Sequence, residues 1–353
     1  MSRWICIAAL AILPACDVLE NGTGTWSITE HPCVGNRTDT LWFDDADTAW
    51  VGCGSTTLGT GLYRSTNGGQ TWSAPTTDPA GFFDDFRVSS ISRSADGVLY
   101  VAGTGGSARV VSVASDASPM TVTEVFASQG QTWNGFHVGT FRRNSAGLAA
   151  AESLTGADLA YRTGDSASWQ DGYGWWTSGT SFQILDMVLH DDGFYGCGST
   201  ITQPPTVFLP PMATSSGFTL DPVTVSDSVS GELWGIAVDS SGIAVGGVDQ
   251  DEDVGMVFTG GLTARDTSDW TAFAVSDLHS GATWVRGVCR DGSRIVAVGE
   301  FSMREEGLVL QSDDGGTSWS DITPTAAPPL HRCTILDGGT LAVAGADGFF
   351  AKR

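Results

Sequence analysis

The feature that most constrains the fold of this 353-residue chain is an internal repeat of about 48 residues. Each unit contains a turn followed by a short apolar strand that ends in small residues, as in 49–54 (AWVGCG) and 193–198 (GFYGCG). Small residues suit strands that crowd together near a common axis. The pattern therefore predicts seven β-units arranged around a ring. The turn positions, at spacings of 50, 50, 46, 49, 50 and 47 residues, are Asp47, Gly97, Gly147, Gly193, Gly242, Gly292 and Gly339.

Composition agrees with an all-β protein and excludes one class of partner. The chain has 46 glycines and 13 tryptophans, and its Val, Ile, Thr and aromatic runs are short and end in turn-forming residues. Its 40 acidic and 17 basic residues give a formal net charge of −23. Such a charge repels the phosphates of nucleic acids. We therefore expect no nucleic-acid partner.

The turn after the third strand of a unit carries a motif. Residues 65–72 (STNGGQTW) and 312–319 (SDDGGTSW) resemble the Asp-box, S-x-D-x-G-x-T-W. An Asp or Asn side chain accepts backbone N–H bonds in such a turn, and glycine adopts the backbone angles that the turn requires. Shorter, degenerate copies occupy 165–169 and 266–270. The residues expected to have this structural role are Asn67, Gly69, Trp72, Asp165, Trp169, Asp266, Trp270, Asp314, Gly316 and Trp319.

With these motifs the chain resembles the Asp-box (BNR) repeat β-propellers. Its organisation is similar to that of photosystem II assembly factor-like and sialidase-like seven-bladed propellers. The resemblance implies an all-β, seven-bladed propeller with four-stranded antiparallel blades over residues 21–353. Residues 348–353 read as a third strand without a fourth, and 21–28 read as a box followed by a fourth strand. We therefore expect the N-terminal strand to close the seventh blade and leave no open sheet edge.

The first residues read as an export signal. A single Arg3 precedes an apolar run that is too short to span a bilayer as a helix. The run ends in residues 13–16 (LPAC), which resemble the bacterial lipobox. This predicts a signal peptide over 1–15, lipidation of Cys16 and a short tether over 16–20, with the protein held at the cell envelope through its lipid anchor only. The alternative is an ordinary secretory signal peptide.

The remaining five cysteines are Cys33, Cys53, Cys197, Cys289 and Cys333. An odd number leaves at least one free thiol or an intermolecular partner. None has C-x-x-C spacing, so we expect no zinc site. Cys33 follows the closing strand and Cys333 lies in the first strand of the same predicted blade. Our hypothesis is a Cys33–Cys333 disulfide.

The family resemblance places the Asp-box turns away from the usual ligand face. Two groups are candidates for that face. Tyr173, Trp175 and Trp176 could form a stacking platform for a sugar or an anchor for a protein, with packing between blades as the alternative. Asp249, Asp251 and Asp253 could bind Ca²⁺ or form a solvated loop.

Two further tryptophans, Trp234 and Trp284, share a spacing of eight residues from the glycine of the following turn. We expect them to be core anchors that pack between neighbouring sheets, rather than ligand contacts.

The function expected from this pattern is non-catalytic. Sialidases need an arginine triad and a late tyrosine nucleophile, yet the Phe-Arg-Ile-Pro motif is absent and no tyrosine follows Tyr195. We predict no catalytic, cofactor-binding or metal-binding residues. The expected function is a binding or scaffold propeller that recognises a protein or glycan at the cell envelope. The alternative is a glycoside hydrolase that uses two carboxylates near the axis.

Overall fold

The computed structural model describes residues 25–54, 59–78, 80–94, 97–104, 108–114, 119–127, 138–144, 147–152, 159–162, 170–171, 182–191, 193–200, 204–210 and 220–353. The described chain is almost entirely β-strand, with 3₁₀ turns at Thr267–Asp269, Val275–Asp277 and Ala346–Gly348. None of the helices in these ranges is long and apolar enough to cross a membrane.

The strands form seven hydrogen-bonded sheets. The first strand is β1 (Ser27–Glu30), and sheet 1 then contains β2 (Arg37–Phe43), β3 (Ala49–Gly54) and β4 (Gly59–Ser65). Sheet 2 contains β5 (Thr77–Asp78), β6 (Arg87–Arg93), β7 (Leu99–Thr104), β8 (Ala108–Val113) and β9 (Met120–Ala127). Sheet 3 contains β10 (Val138–Asn144), β11 (Gly147–Glu152), β12 (Leu159–Arg162) and β13 (Gln170–Asp171).

The second half of the chain repeats this pattern more regularly. Sheet 4 contains β14 (Phe182–His190), β15 (Gly193–Thr200), β16 (Pro205–Leu209) and β17 (Asp221–Thr224). Sheet 5 contains β18 (Gly231–Asp239), β19 (Gly242–Asp249), β20 (Val254–Gly260) and β21 (Trp270–Ala274). Sheet 6 contains β22 (Thr283–Asp291), β23 (Arg294–Phe301), β24 (Glu306–Ser312) and β25 (Ser320–Asp321). Sheet 7 contains β26 (Leu330–Ile335), β27 (Leu341–Gly345), β28 (Phe349–Lys352) and β1.

The first strand of each sheet is the innermost strand of a ring. The strands β2, β6, β10, β14, β18, β22 and β26 each contact the next in this order, and β26 contacts β2. From each innermost strand an antiparallel meander runs outward. Burial follows this arrangement, because the second strands are almost wholly buried, as in β3 and β27. The molecule is therefore an all-β propeller with its core between neighbouring sheets.

The expected seven four-stranded blades are wrong in number. Five sheets have four antiparallel strands, sheet 2 has four antiparallel strands and a parallel fifth, and sheet 1 has only three, which leaves six complete four-stranded blades. After β4 a single bridge joins Arg64 to Ser73. Two residues later Pro75 has no N–H to give to a ladder. The chain then forms β5, which pairs in parallel with β9 of sheet 2. The segment that would form the fourth strand of sheet 1 therefore pairs at the edge of sheet 2.

Closure by the N-terminal strand is confirmed. β1 pairs antiparallel with β28, with Ser27 opposite Lys352 and Glu30 opposite Phe349. The same segment is bonded to both neighbouring sheets. The Trp26 indole N–H donates to the carbonyl of Ile322 at 2.9 Å, and the Thr29 hydroxyl donates to the carbonyl of Gly69 at 2.8 Å. The closing strand therefore seals the edge of sheet 7 and joins sheet 6 to sheet 1.

The two full Asp-boxes form the same hydrogen-bonded turn. Asn67 Oδ1 accepts from the backbone N–H of Thr71 at 2.9 Å, and Asp314 Oδ1 accepts from the backbone N–H of Ser318 at 2.8 Å. The indoles of Trp72 and Trp319 donate to the carbonyls of Gly69 and Gly316, each at 3.1 Å. Gly316 has a φ of +99°, and a Cβ there would lie 2.8 Å from a carbon of Thr259. Both the backbone angle and the packing therefore require glycine at this position.

The degenerate box at 266–270 is a different turn. It forms the 3₁₀ turn Thr267–Asp269, in which Asp269 Oδ2 accepts from the backbone N–H groups of Arg265 and Asp266 at 2.9 and 3.1 Å. Trp270 is buried at the start of β21. The copy at Asp165 and Trp169 lies outside the described residues.

The Asp-boxes give a prediction about acid stability. Hydrogen bonds from Ser318 and Ser312 lower the pKa of Asp314 to about 2. A carboxyl whose folded pKa is depressed stabilises the fold above its unfolded pKa, and this stabilisation is lost as pH falls toward 2. Asp314→Asn should therefore lower the melting temperature at pH 7, and the difference from wild type should vanish near pH 2. The converse variant, Asn67→Asp, should gain a difference from wild type that also disappears in acid. A difference in melting temperature between variant and wild type that does not change with pH, for both variants, would contradict the assignment.

The expected Cys33–Cys333 disulfide is wrong. Cys33 is joined to Cys53 on β3, and Cys289 on β22 is joined to Cys333 on β26, with Cα–Cα distances of 5.4 and 5.8 Å. The reason is the order of the strands in sheet 7. β1 and β26 are its two edge strands, the outermost and the innermost, separated by β27 and β28. Three steps of about 4.8 Å put them about 14 Å apart, beyond the reach of a disulfide. As the odd cysteine count predicts, one described thiol is free, the buried Cys197.

Candidate functional site: the axial mouth

All seven innermost strands contain a register irregularity near their first residues. In each, one residue is left unpaired against the second strand. Such bulges bend a strand and redirect a side chain, and they are frequent beside functional sites. Because the seven strands begin at the same end of the ring, the bulges form a circle around one opening of the axis. The unpaired residues are Asp39, Ser89, Gly139, Leu185, Trp234, Arg286 and His331.

On one side of this circle, aromatic and charged side chains lie together. We call this group the axial mouth and define it as Arg37, Asp39, Trp234, Trp284, Arg286, His331 and Arg332. It spans the innermost strands β18, β22, β26 and β2, which are consecutive in the ring.

The centre of the axial mouth is a guanidinium stacked on two indoles. The guanidinium carbon of Arg286 lies 4.3 Å from the ring centroid of Trp234 and 4.4 Å from that of Trp284. The two indoles meet edge to face, with their centroids 5.9 Å apart. The two distances from the guanidinium to the indole rings are within the range of cation–π attraction. The three side chains therefore stabilise one another and are partly open to solvent.

Three carboxylates hold this stack in place. Glu300 Oε1 accepts from Arg286 Nε at 2.7 Å, Asp253 Oδ1 accepts from the Trp284 indole N–H at 2.7 Å, and Glu232 Oε2 accepts from the Trp234 indole N–H at 3.0 Å. Burial lowers the pKa of the Arg286 guanidinium, while Glu300 opposes this change. The orientation of each member is thus fixed before any ligand arrives.

Trp234 and Trp284 therefore do not lie where the sequence pattern indicated. They are half-buried at the mouth instead of filling the space between sheets. Their faces pack on a guanidinium and their N–H groups donate to carboxylates. The expectation of core anchors fails because the spacing from a glycine fixes the strand but not the bulge that redirects Trp234.

A second charged group lies next in the ring. The buried carboxylate of Asp39 accepts from Arg37 Nε at 2.5 Å and from Arg87 Nε at 2.7 Å. Arg37 is half exposed, whereas Arg87 is mostly covered. Asp39 thus joins two neighbouring innermost strands, β2 and β6.

Basic residues are concentrated around the axis of this acidic protein. Of its 17 basic residues, eight are arginines on innermost strands. Sequence reasoning counted charges over the whole chain and missed this. Placing each arginine in the repeat would have shown it, since these residues fall in the first strand of their units: Arg37, Arg87, Arg93, Arg142, Arg143, Arg286, Arg290 and Arg332.

The predicted acidic loop contributes one hydrogen bond to the axial mouth. Asp253 bonds Trp284, while Asp249 Oδ1 accepts from the backbone N–H of Asp251 at 3.1 Å. The carboxylates of Asp249, Asp251 and Asp253 do not form a cluster of ligand atoms. Among the described residues such a cluster occurs at His31, Cys33 and Cys53, where the two sulfurs are joined to each other. Calcium at the acidic loop stays a prediction.

Cys16, Tyr173, Trp175 and Trp176 lie outside the described residues. Their assigned roles therefore stay predictions.

Four described carboxylates in or next to the axial mouth are engaged in hydrogen bonds or ion pairs. Asp39 and Glu300 bond arginines, and Glu232 and Asp253 bond indoles. A glycosidase needs an acid and a second carboxylate that face the substrate between them. In the part of the chain that is described, the mouth offers aromatic faces and guanidinium groups instead.

Comparison with known proteins gives a fold. No protein-family model and no curated protein matches the chain. Among solved structures, YCF48 bound to D1 peptide matches with a TM-score of 0.61 and 13% identity, over 96% of this chain and 99% of that one. YCF48 from Cyanidioschyzon merolae matches with a TM-score of 0.64 and 15% identity, over 93% and 98%. The RRP9 WD40 repeats match with a TM-score of 0.62 and 11% identity, over 95% and 99%. At these identities the likeness shows that the chain has the fold of a β-propeller.

Proposed function

We propose that this chain is a non-catalytic, protein-binding or assembly propeller of the bacterial cell envelope, and that its recognition surface is the axial mouth. The observation that carries the proposal is the guanidinium of Arg286 held between Trp234 and Trp284. Tryptophan and arginine are the residue types that most often dominate the energy of a protein interface.

The construction of the mouth suits this role. Its aromatic and arginine side chains are fixed by bonds to Glu232, Asp253 and Glu300, so little side-chain entropy remains to be lost on binding. Because the indole faces are already covered in part by Arg286, a protein partner fits better than a sugar ring stacked on an indole.

The comparisons support the same class of function. One solved structure of similar fold is YCF48 with a D1 peptide, and others are WD40 propellers. We extend to this chain only the general idea that a propeller of this kind binds a protein segment.

The remaining parts of the proposal concern architecture and location. We propose that sheet 1 is a reduced seventh blade, so that the ring has seven units. We propose that residues 1–15 are a signal peptide and that lipidated Cys16 holds the ring at the membrane through the tether 16–20. The two disulfides support export, since disulfides persist in oxidising compartments.

The test is an affinity selection followed by a footprint. A random peptide library displayed on phage is panned against the mature domain, and the selected peptides are added during amide hydrogen exchange. We expect slower exchange at the start of β18, β22 and β26. Protection confined to other strands would contradict the assigned surface. Hydrolysis of fluorogenic glycosides that is lost in Glu300→Gln or Asp39→Asn would support the glycosidase instead.

A further inference from the structure

We infer that the axial mouth contains a carboxylate-binding site formed by His331, Arg332 and Arg37. The inference rests on the proposed function, because it names the chemical group that the mouth takes from a ligand. It is carried by one unsatisfied buried atom and by the arginines around it.

The unsatisfied atom is Nδ1 of His331. This residue occupies the bulge of β26, and its side chain is 8% exposed. Nδ1 is buried and has no hydrogen-bond partner. Buried polar atoms in native proteins are nearly always paired, because leaving one unpaired is costly. A ring nitrogen that lies at the mouth without a partner therefore indicates a group that is supplied on binding.

Arg332 follows His331 on β26, and its charge acts on the His331 imidazole. Its Nη1 donates to the carbonyl of Arg286 at 3.2 Å and to that of His331 at 2.9 Å. These bonds fix the guanidinium against β22 and β26. Within the described ranges Arg332 has no carboxylate partner, whereas Arg286 is paired with Glu300.

Arg37 completes the site from the other neighbouring strand, β2. Its Nε is bonded to Asp39, and its side chain is half exposed. Asp39 and His331 are the bulge residues of adjacent innermost strands, and Arg37 lies two residues before Asp39, toward the opening of the axis. The charge of Arg37 acts on the His331 imidazole and lowers the pKa of that ring. The terminal nitrogens of Arg37 can therefore face a ligand that enters the mouth.

The electrostatics of the site favour an anion. Burial lowers the pKa of His331 well below its ordinary value, and Arg37, Arg332 and Arg286 lower it further. The ring is therefore neutral near pH 7 and has one N–H to donate.

The geometry of the donors suits a carboxylate. Guanidinium groups donate in parallel pairs that match the two oxygens of a planar carboxylate, and such charge-assisted bonds are stronger than neutral ones. Asp39 and Glu300 already neutralise part of the local charge. A monoanion is therefore a better match than a doubly charged phosphate.

The carboxylate could come from a free organic acid or from a peptide, through an acidic side chain or its C-terminus. The experiment has one arm for each source. In the first arm, acetate and succinate are titrated into the full chain by calorimetry, with chloride and sulfate as anion controls. In the second, a library-selected peptide is measured with a free and with an amidated C-terminus, and with its acidic residues changed to amides.

The variants are Arg332→Lys, Arg37→Gln and His331→Asn, with Arg304→Gln as the matched control. Arg304 is an exposed residue after β23 whose ion pair with Glu306 spans 3.9 Å. Losing one charge-assisted bond should weaken carboxylate affinity about ten-fold or more. The control should change it by less than about two-fold. Arg37 is half exposed, so its variant tests the site even where a buried variant does not fold.

The outcomes separate the two proposals. Free carboxylates that bind with this variant dependence, in a chain that selects no peptide, support the site and contradict the protein-binding function. A peptide that binds equally well after amidation, and equally to all variants, overturns the site and leaves the function standing. Chloride or sulfate bound as tightly as acetate also overturns it, and so does a chain that binds neither acetate nor succinate and binds no peptide through a carboxylate.

Discussion

Replacing Cys33 and Cys53 with serine is expected to lower the free energy of unfolding by about 3 kcal/mol, because this disulfide closes a loop of 20 residues. Cys33 lies just after β1, the strand that completes sheet 7, and Cys53 lies on β3 of sheet 1. The bond therefore ties the closing strand to the next sheet of the ring. Without it, the N-terminal segment is held by hydrogen bonds and packing alone.

The second disulfide, Cys289–Cys333, ties sheet 7 to its other neighbour, sheet 6. Cys289 and Cys333 join the innermost strands of sheets 6 and 7 across a separation of 44 residues, for which the expected contribution is about 4 kcal/mol. Together the two bonds fasten sheet 7 to both neighbours. We expect the quadruple variant to lose more stability than either pair alone.

Denaturant unfolding with and without a thiol reductant measures both effects. Cys197→Ser is the matched control, since Cys197 is buried and free, and its sulfur lies 3.5 Å from the carbonyl of Leu233. The control should change stability by less than about 1 kcal/mol, because serine can keep this bond. An unfolding midpoint that reductant does not move would show that the disulfides do not secure the ring.

Trp284→Ala is expected to weaken partner binding by about 30-fold to 1000-fold, the range found for interface residues that contribute about 2 to 4 kcal/mol. Its indole is packed on Arg286 and bonded to Asp253. Truncation removes contact area and also frees the guanidinium that the two indoles hold.

The same geometry predicts that the three side chains act as a unit. Trp234→Ala and Arg286→Ala should each weaken binding, and the double variant should lose less than the sum, because each already disturbs the stack. The matched control is Met303→Ala, which removes an apolar side chain that is 84% exposed in the loop between β23 and β24. Equal losses in Met303→Ala and Trp284→Ala would contradict a hot spot at the mouth.

The repeat and the ring closure could be predicted from the sequence, whereas the number of strands in sheet 1 and the disulfide partners could not. Turn spacing and the Asp-boxes specify strand order, and the strand-like ends of the chain indicate their pairing in sheet 7. The loss of a fourth strand in sheet 1 depended on Pro75 and on where β5 pairs. The disulfide partners depended on strand order within sheet 7, which a repeat alignment of cysteines does not express.

The axial mouth could not be read from the pattern for a physical reason. A bulge is a backbone feature, and the unpaired position holds a different residue type in each repeat, such as Asp39, Trp234, Arg286 and His331. Tryptophan is common both in protein cores and at interfaces. The distinction came only from its partners, a guanidinium and a carboxylate.

The most direct test of the central claim is calorimetric titration of a library-selected peptide into the wild-type chain and into the Trp234→Ala/Trp284→Ala double variant. Melting curves must first show that both are folded. We expect measurable binding to the wild type and none to the variant at the same concentrations. Binding of equal affinity to both would contradict the claim that the axial mouth is the recognition surface.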